Sequence, residues 1–370
     1  MRVLMSGGGT GGHVNPAIAI ANEIAKREPG SEIAFVGTER GIENKLVPKA
    51  GYKLYHIEIQ GIRRSLSPSN VKTVILAAKA FRKCRRIVRE FKPDVVIGTG
   101  GYACWPVVRA AQALGIPTVL HESNATPGFA VKTLEKKADR VYVNFEETIS
   151  QLENKKNAVR VGNPMRQGFE TADREKSREA LGITGKYRTF ILSLGGSMGA
   201  ERVNEEVLAV MRDYTSKHPE VLHVHATGAI EYEIAKKQFE ETGLDKCPNI
   251  ELLEYIYDMP ARMAAADIVI NRAGAMTLSE LALLGKAAVL IPSPNVTNNH
   301  QYKNAAVLRD AGAAMLFEEK DLTDGVLTAA VKELCEDREK RASMQENIKK
   351  FAVPDAGARI YEDLKTIVRR

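Results

Sequence analysis

The sequence is poor in the residues that hold small or extracellular domains together. Its 370 residues include four cysteines, Cys84, Cys104, Cys247 and Cys335, and no two of them form a Cys-x-x-Cys pair. This spacing excludes a zinc ribbon and gives no disulfide framework, so a reducing compartment is expected. Asp-x-Asp pairs of the kind that chelate a nucleotide-bound cation are also absent from the sequence. We therefore expect no obligatory metal site and no cofactor.

Long apolar runs are missing as well. No stretch reaches the roughly 18 consecutive apolar residues that a membrane-spanning helix needs. The N-terminal sequence MRVLMSGGGT turns into glycines too early to form the core of a signal peptide. Hydrophobic residues make up 44% and charged residues 27% of the chain, which is typical of globular proteins. The length predicts two domains.

Charge is distributed unevenly along the chain. Residues 1–163 carry 25 basic and 14 acidic side chains, whereas the remainder carries 28 basic and 32 acidic ones. Residues 63–92 alone hold ten basic side chains against the single acid Glu90. Such a block predicts an anionic partner, such as lipid head groups, nucleic acid or a phosphorylated substrate.

The basic block overlaps a predicted helix, Val71–Phe91. It is either a packed helix with a solvated basic face or a surface that rests on anionic lipid. In the second interpretation Arg82, Lys83, Arg85 and Arg86 contribute to membrane binding. No RNA-binding aromatic motif accompanies the basic residues, so nucleic acid is not an expected partner. The apolar positions that recur at helical spacing are Val74, Ile75, Ala78, Phe81, Ile87, Val88 and Phe91.

Short apolar runs alternate with helical patterns from end to end. Strands separated by helices predict βαβ units, parallel sheets and ligands outside the carboxyl ends of the strands. The predicted fold class is therefore α/β, with two facing Rossmann-like domains and a ligand cleft between them. The predicted strands are Arg2–Met5, Ile33–Val36, Val95–Ile97, Thr118–Leu120 and Arg140–Val143 in the first sheet, and Phe190–Leu194, Leu222–Ala226, Ile268–Ile270 and Ala288–Ile291 in the second.

Glycine and proline within Val161–Arg166 indicate a domain junction. We expect a first domain at residues 1–163 and a second at residues 164–340. A helical tail follows at residues 341–370.

Three glycine-rich loops follow predicted strands. Glycine lets the backbone approach a ligand closely, and the N-terminus of the next helix offers N–H groups and a positive dipole end to an anion. His13 lies beside the first loop, with Asn15 as the candidate cap of the following helix. That position favours a neutral imidazole, which can act as a base. The loops are Gly7–His13, Gly98–Tyr102 and Gly195–Ala200.

The first loop has a second interpretation. Gly7, Gly9 and Gly12 match the dinucleotide-binding pattern G-x-G-x-x-G, with Glu39 as a possible ribose-binding acid. One such match is weak support for an oxidoreductase. Three loops distributed over two α/β sets favour two ligand-binding domains instead.

A fourth signal is Gly274–Glu280, where a small-residue turn opens a predicted helix. The helix start could hold a diphosphate, with Glu280 accepting hydrogen bonds from ribose hydroxyls. In the purely structural alternative, Thr277 caps the helix and Glu280 is an exposed helix residue. His223 and His225 alternate on a strand, where a hydrogen-bonded role is favoured over metal ligation because no third ligand is evident.

Five segments taken together resemble one enzyme family, the MurG family of peptidoglycan N-acetylglucosaminyltransferases. The resemblance runs in motif order from Met1 to about Ala314. It implies a two-domain fold of the GT-B type, with the tail crossing back onto the first domain. It also implies transfer of GlcNAc from UDP-GlcNAc to the 4-hydroxyl of the muramyl sugar of lipid I, with inversion, at the cytoplasmic face of the bacterial cell membrane. The segments are Gly8–His13, His121–Asn124, Gly195–Ala200, Gly274–Glu280 and Gln301–Ala305.

The resemblance also implies residue roles. His13 is the candidate base that deprotonates the acceptor, and Glu122 is a second candidate acid beside it. Asn298–His300 departs from the pattern expected before Gln301, so no role is assigned to His300. The implied substrate-binding residues are Thr10, Gly11, Gly12, Asn124, Arg166, Ser197, Ile256, Ala275, Met276, Thr277, Leu278, Ser279, Glu280 and Gln301.

Two other classes of protein stay open at this point. An enzyme related to the UDP-GlcNAc 2-epimerases would use the same glycine loops, but it needs no lipid surface and leaves the basic helix unexplained. A membrane-binding module without catalysis would leave the glycine loops and His13 unexplained.

Overall fold

The computed structural model describes residues 1–60, 69–183, 185–196, 199–323 and 325–368, with side chains described from residue 75 onward in the second of these stretches. The chain divides into two compact units. Unit 1 consists of Met1–Arg166 together with Val353–Arg370, and unit 2 of Gln167–Ala352. Each unit is built on one parallel sheet flanked by helices. The predicted α/β class with two Rossmann-like domains is confirmed.

Unit 1 contains a seven-stranded parallel sheet in the order β3-β2-β1-β4-β5-β6-β7. Apolar clusters cover both faces of this sheet, as expected for parallel strands joined by helices. The strands are β1 Arg2–Gly7, β2 Glu32–Thr38, β3 Lys53–Ile57, β4 Val95–Gly100, β5 Thr118–Glu122, β6 Arg140–Val143 and β7 Ala158–Arg160. The helices are α1 Gly11–Arg27, α2 Glu43–Lys49, α3 Ser69–Phe91, α4 Cys104–Ala113, α5 Phe129–Leu134 and α6 Glu146–Ser150.

Unit 2 contains a six-stranded parallel sheet in the order β10-β9-β8-β11-β12-β13. The strands are β8 Thr189–Leu194, β9 Val221–Ala226, β10 Ile250–Leu253, β11 Ile268–Asn271, β12 Ala287–Leu290 and β13 Ala314–Leu316. The helices are α7 Arg174–Ala180, α8 Glu201–Asp213, α9 Tyr232–Glu241, α10 Met259–Ala265, α11 Ala275–Leu284, α12 His300–Asp310, α13 Val326–Glu336 and α14 Arg338–Lys349.

The last helix, α15 (Ala356–Val368), belongs to unit 1. Ile360 and Leu364 are fully buried in the same apolar cluster as residues of α1. Asp363 accepts hydrogen bonds from Arg140 Nε (3.0 Å) and Tyr142 Oη (2.8 Å). The preceding helix α14 packs on β12 and α11 within unit 2, so the returning segment begins at Val353 and not at the expected residue 341.

The sheets are wider than the sequence predicted, because β3, β7, β10 and β13 were not predicted as strands. All four lie at the edges of the two sheets. An edge strand is covered less completely than a central one, so it carries no continuous apolar run. Lys53–Ile57 shows this, since only its last residue is buried.

Helix α3 carries the basic block, and its buried face agrees with the predicted one at Ile87, Val88 and Phe91 but not nearer its N-terminal end. Ile75 is 52% exposed and Ala78 is also exposed, so this part of the expected apolar face is wrong. Arg82, Lys83 and Arg86 are exposed, and Arg85 is half-buried. The buried face is formed by Leu76, Ala80, Cys84, Ile87, Val88 and Phe91.

Among the helices that the structure describes, none is long and apolar enough to cross a membrane. Within the same described ranges, no group of three or more His, Cys, Asp or Glu side chains is arranged to hold a metal ion.

Candidate active site

The glycine loops follow the strands at which each sheet reverses its strand order. In unit 1 the order reverses between β1 and β4, and in unit 2 between β8 and β11. Parallel α/β sheets bind ligands at this point, outside the carboxyl ends of the strands. The loops after β1, β4 and β8 are the three predicted glycine loops, and the segment after β11 is the predicted Gly274–Glu280 turn. The four predicted motifs therefore form two sites, one on each sheet.

Helix α1 begins at Gly11, so the prediction that Asn15 caps it is wrong. Thr10 occupies the N-cap position with an extended backbone (φ −139°, ψ 157°), and Pro16 lies inside the helix. Two glycines in a first turn disfavour a helix by propensity, which is why the sequence pattern indicated a later start. His13 consequently lies in the first turn of α1.

The imidazole of His13 is held from its Nδ1 side. Thr10 Oγ1 and the carbonyl oxygen of Gly8 each lie 3.2 Å from His13 Nδ1. A carbonyl oxygen can only accept, so in the tautomer that bonds Gly8 it is Nδ1 that donates and carries the ring proton. Nε2 is then the ring nitrogen with the lone pair, which is the form that a base requires. Thr99 Oγ1 also donates to the His13 carbonyl (2.6 Å) and anchors this turn to β4.

The loop after β4 packs against His13 and the first loop. A Cβ atom at Gly100, whose φ is +106°, would lie 2.6 Å from His13 Cδ2. A Cβ atom at Gly101 would lie 2.1 Å from the carbonyl oxygen of Gly8. These positions require glycine for two reasons, the left-handed backbone and the close approach of the two loops.

Glu43 is a site residue that sequence analysis missed. It lies at the start of α2 and is only 1% exposed. Its Oε1 accepts hydrogen bonds from Thr38 N and Thr38 Oγ1, both at 2.9 Å, and its Oε2 accepts from Gly9 N at 3.1 Å. Burial raises the pKa of Glu43, but these hydrogen bonds outweigh it and hold the pKa below its usual value.

The alternative role of Glu39 as a ribose-binding acid has no support in the structure. Glu39 is exposed, and the acid that approaches the first loop is Glu43. Because the carboxylate of Glu43 accepts hydrogen bonds from the backbone of Gly9 and from Thr38, both of its oxygens are already bound within the protein. The only signal that could have revealed Glu43 is an acid placed five residues after the end of β2, between Gly41 and an apolar helix face.

Glu122 and Asn124 form a braced loop after β5. Glu122 Oε1 accepts from Asn124 N (3.0 Å) and Asn124 Nδ2 (3.1 Å), and Oε2 accepts from Gly128 N (2.7 Å). Burial raises the pKa of Glu122 above its usual value, and the hydrogen bonds from Gly128 and Asn124 oppose that rise. Both carboxylate oxygens are therefore engaged in holding Asn124 and the loop.

In unit 2, the loop after β8 is shaped by glycines with left-handed backbones, Gly196 (φ +100°) and Gly199 (φ +91°). The predicted diphosphate ligand Ser197 lies outside the described residues. A Cβ atom at Gly199 would lie 2.6 Å from the Thr227 carbonyl oxygen, so the loop lies tightly against the end of β9.

A chain of neutral hydrogen bonds runs beneath this loop. Ser193 Oγ bonds His223 Nε2 and His225 Nδ1, each at 2.9 Å. His225 Nε2 bonds Asn204 Oδ1 (3.0 Å), and Asn204 Nδ2 donates to the Thr227 carbonyl (3.1 Å). Burial lowers the pKa of His225 to about 4 and that of His223 well below its usual value, so both rings are neutral. The histidines thus support the loop by hydrogen bonding.

Helix α11 opens on the second switch point of unit 2. Its N-cap is Gly274, which has no side chain to cap the helix, and the N–H groups of a first turn lack intrahelical acceptors. Ala275, Met276, Leu278 and Ser279 are buried, and Thr277 is half-buried. Glu280 is 1% exposed. The alternative in which Glu280 is an exposed surface residue is therefore wrong.

The remaining predicted ligands of unit 2 lie on neighbouring loops. Ile256 is 4% exposed, whereas its two sequence neighbours, Tyr255 and Tyr257, are exposed and contact each other with ring centroids 4.9 Å apart. Gln301, in the first turn of α12, accepts a hydrogen bond from Ser293 N through Oε1 (2.8 Å), which leaves its amide N–H₂ group as the donor end. Arg166 is exposed and is the last residue of the first segment of unit 1.

The unexpected residues before Gln301 have a conformational reason. Asn298 and Asn299 both adopt left-handed backbones, with φ of 59° and 52°. Asparagine tolerates this region better than most residues. His300 bonds the Thr297 carbonyl through Nδ1 (2.9 Å), which closes the same turn.

Comparisons with known proteins agree with the two-site architecture. The family model described as the glycosyltransferase family 28 N-terminal domain matches residues 3–143, and that of the family 28 C-terminal domain matches residues 190–360. A UDP-N-acetylglucosamine--N-acetylmuramyl-(pentapeptide) pyrophosphoryl-undecaprenol N-acetylglucosamine transferase of Acetivibrio thermocellus is 42% identical over 369 residues, covering 100% of this chain and 99% of the relative. The corresponding transferase 1 of Bacillus cereus is 40% identical over 370 residues, with 100% of both chains covered.

Solved structures show the same fold. The crystal structure of Acinetobacter baumannii MurG has a TM-score of 0.79 and 29% identity, covering 99% of both chains. A UDP-GlcNAc 2-epimerase from Neisseria meningitidis, bound to UDP-GlcNAc, has a TM-score of 0.67 and 15% identity, covering 99% of this chain and 100% of the other. At that identity the likeness to the epimerase is one of fold alone.

Two parallel α/β units, each with a glycine loop at its switch point, have the GT-B fold, and the two family models identify the chain as a glycosyltransferase of this fold. The chain belongs to glycosyltransferase family 28, in the branch of the MurG N-acetylglucosaminyltransferases.

Proposed function

We propose that this protein transfers GlcNAc from UDP-GlcNAc to the 4-hydroxyl of the MurNAc of lipid I, with inversion, and so forms lipid II for peptidoglycan synthesis. The carrying observation is the pair of glycine loops at the switch points of two sheets, with His13 in the first turn of α1. The full-length similarity to transferases with this printed activity supports the donor and the acceptor.

On the donor side, we assign the nucleotide sugar to unit 2. The first turn of α11 presents N–H groups to the diphosphate, and the buried carboxylate of Glu280 accepts from the ribose hydroxyls. We assign the backbone of Ile256 to uracil, and the side chains of Arg166 and Ser197 to the diphosphate. The amide N–H₂ of Gln301 donates to the GlcNAc hydroxyls, since its carbonyl is bound to Ser293.

On the acceptor side, His13 acts as the base. Its Nε2 takes the proton of the 4-hydroxyl as the new glycosidic bond forms, and a base of this kind contributes typically 10²–10⁴-fold. Thr10, Gly11 and Gly12 form the adjoining backbone, and Asn124 lies on the loop after β5. We propose that Glu122 positions Asn124 instead of acting as the base, because both of its oxygens accept hydrogen bonds from the loop.

The departing UDP gains negative charge as the sugar passes through an oxocarbenium-like state. Helix N-terminal amides and Arg166 are fixed dipoles and charges that stabilise this negative charge without rearranging. On this mechanism the chain's own groups carry the charge stabilisation, and no cofactor is required.

The test is transfer of labelled GlcNAc from UDP-GlcNAc to a lipid I analogue, with wild type and His13→Ala side by side. We expect kcat to fall by about 10²-fold or more in His13→Ala, with the Kd for UDP-GlcNAc little changed. Equal activity would remove His13 as the base and make Glu122→Gln the next variant. Formation of UDP and an epimerised sugar without transfer would support the epimerase alternative.

We further propose that the protein binds peripherally to anionic membrane at the cytoplasmic face of the cell through helix α3. Arg82, Lys83 and Arg86 are exposed there, Arg85 is half-buried, and the apolar side chain of Ile75 is exposed on the same helix. Each basic residue near an anionic surface contributes roughly 1 kcal/mol, and an apolar side chain adds contact with the acyl region.

Vesicle co-sedimentation tests this surface with a charge-matched control. Arg82→Glu combined with Lys83→Glu should weaken binding to vesicles containing anionic lipid by more than tenfold. Lys155→Glu combined with Lys156→Glu makes the same charge change at another exposed site of unit 1 and should have a smaller effect. Equal losses, or binding that is insensitive to salt, would contradict a specific role for α3.

A further inference from the structure

The peptide group between Gly8 and Gly9 connects two side chains that the sequence does not associate. Its carbonyl oxygen lies 3.2 Å from His13 Nδ1, and its N–H donates to Glu43 Oε2 at 3.1 Å. In a trans peptide the carbonyl and the N–H point to opposite sides, so one planar group can be bound from both sides at once. The carboxylate of Glu43 and the imidazole of His13 are therefore joined through a single peptide.

We propose that Glu43 is a positioning residue for His13, acting through the Gly8–Gly9 peptide. A carboxylate that accepts from the peptide N–H polarises the group and makes its carbonyl oxygen a stronger acceptor. The stronger acceptor holds the proton on His13 Nδ1 and keeps the lone pair on Nε2. It also stabilises the positive charge that the imidazole acquires when Nε2 takes the acceptor's proton. In serine proteases an aspartate does this by direct contact with the histidine.

The backbone around Glu43 is built to hold a carboxylate. Cβ atoms at Gly8, Gly37 and Gly41 would lie 2.9, 2.6 and 2.0 Å from atoms of the Glu43 side chain. Gly9 itself has φ +87° and lies against the ring of Tyr102 on its other side. The glycines therefore make room for the Glu43 side chain, and its hydrogen bonds to Thr38 and Gly9 fix the orientation of the carboxylate.

Glu43 remains charged in this enclosure. The three hydrogen bonds that it accepts hold its pKa below the usual value in spite of burial. A buried ionised carboxylate destabilises the folded state unless it is fully hydrogen-bonded. One of the three hydrogen bonds that Glu43 accepts comes from Gly9, in the glycine loop that precedes His13. A purely structural contact would be served by a neutral acceptor at lower cost.

The inference rests on the proposed role of His13, and its first test needs no substrate. We would record ¹⁵N spectra of the histidine rings in the full-length protein, assigning His13 by comparison with His13→Ala. The expected result is an Nδ1–H tautomer in the wild type and a smaller share of that tautomer in Glu43→Gln. An Nε2–H tautomer in the wild type would overturn the proposal, whether or not the variant folds.

Kinetics supply the second test. Glu43→Gln should lower kcat about tenfold, a part of the 10²–10⁴-fold that a base supplies, with the KM for UDP-GlcNAc within about twofold. In the His13→Ala background the same substitution should change kcat by less than about twofold, because the residues act as one unit. An equal loss in both backgrounds would assign Glu43 to general stability and overturn the proposal.

Glu135→Gln is the matched control. Glu135 is 2% exposed, and its Oε2 accepts hydrogen bonds from Glu153 N (3.0 Å) and Asn154 N (3.2 Å) within unit 1. The Glu135→Gln variant therefore removes a comparable buried carboxylate at a site away from the glycine loops. It should leave kcat and the His13 tautomer unchanged. If the wild type transfers no GlcNAc but shows the expected tautomer change in Glu43→Gln, the proposed function fails while the coupling stands.

Discussion

The two sheets carry the same device, a glycine loop at the switch point, but they support it with different chemistry. In unit 1 the loop after β1 is bonded from beneath by the ionised carboxylate of Glu43. In unit 2 the loop after β8 is supported by the neutral chain Ser193–His225–Asn204–Thr227. A charge beneath the first loop suits a site where a base must become positive. Neutral groups beneath the second leave the positive ends of the helices to meet a diphosphate.

The largest difference should appear when a methyl group is added to a glycine of each site. Gly100→Ala places a Cβ atom 2.6 Å from His13 Cδ2 and must displace the ring, so kcat should fall about 10²-fold. At Gly196 the φ is similar (+100°), but a Cβ atom would meet no described atom within 4 Å. Gly196→Ala should therefore show only backbone strain, about 1–2 kcal/mol, and a much smaller loss of kcat. Equal losses of kcat in the two variants would show that His13 is not held by Gly100.

Acid should weaken unit 2 more than unit 1. In unit 1, burial lowers the pKa of His121 in the folded state to about 4. In unit 2, burial lowers the pKa of His225 to about 4 and that of His223 well below its usual value. Because these histidines bind protons more readily when unfolded, their stabilisation is complete above pH 6.5 and is lost as the pH falls toward 4. His121 and His225 each lose about 2 kcal/mol of stabilisation at pH 5, and His223 adds a further loss in unit 2.

Urea unfolding at pH 7.5 and pH 5 measures this difference. Trp105 is the only tryptophan and lies in unit 1, so its fluorescence follows that unit, while circular dichroism follows the whole chain. At pH 5 the circular dichroism transition should begin before the fluorescence transition, and His225→Gln should reduce the separation. Coincident transitions that both fail to move with pH would contradict the assignment.

A smaller effect is expected from breaking the neutral hydrogen-bond chain beside the unit 2 loop, and it should fall on KM instead of kcat. Asn204→Ala removes the hydrogen bonds to His225 and to the Thr227 carbonyl, so the KM for UDP-GlcNAc should rise about tenfold with kcat little changed. Asn249→Ala is the control, because this buried amide donates to the carbonyls of Thr215, His218 and Val221 at the other end of β9. If both variants raise the KM equally, the effect is loss of stability.

The smallest effect concerns the surface charge of unit 1. Glu90 pairs with Arg86 on α3 at 3.3 Å, and both side chains are exposed, so Glu90→Gln should change the free energy of unfolding by less than about 0.5 kcal/mol. The same variant adds one net positive charge to the helix and should strengthen binding to anionic vesicles by up to about fivefold. Unchanged vesicle binding at low salt would argue against electrostatic attraction through α3.

Sequence patterns predicted the central strands and the switch-point motifs because those elements are covered on both faces or contain unusual glycine runs. The edge strands were missed because partial exposure removes the apolar run, as in Lys53–Ile57. The predicted apolar face of α3 was wrong at Ile75, which is apolar but exposed. In such a helix the spacing of apolar residues alone does not identify the buried face.

For the site, loops rich in glycine were recognisable, whereas the side chains beneath them were not. Glu43 reads as an ordinary acid in the first turn of a surface helix, and only the tertiary structure brings it to Gly9. Glu280 shows the same limit, since its position in the sequence of α11 did not distinguish an exposed carboxylate from a buried one. Long-range contacts between loops carry this information.

The position of α15 has a consequence for how the protein is made. The helix that completes the apolar cluster around α1 lies after the whole of unit 2 in the chain, so unit 1 is discontinuous in sequence. During synthesis from the N-terminus, Ile20 and Ile24 cannot pack against Ile360 and Leu364 until residues 167–352 have been produced. Unit 1 therefore completes its apolar cluster only after all of unit 2 has been synthesised, and a chain cut short before Ala356 leaves an apolar surface on unit 1 for chaperones and proteases to recognise.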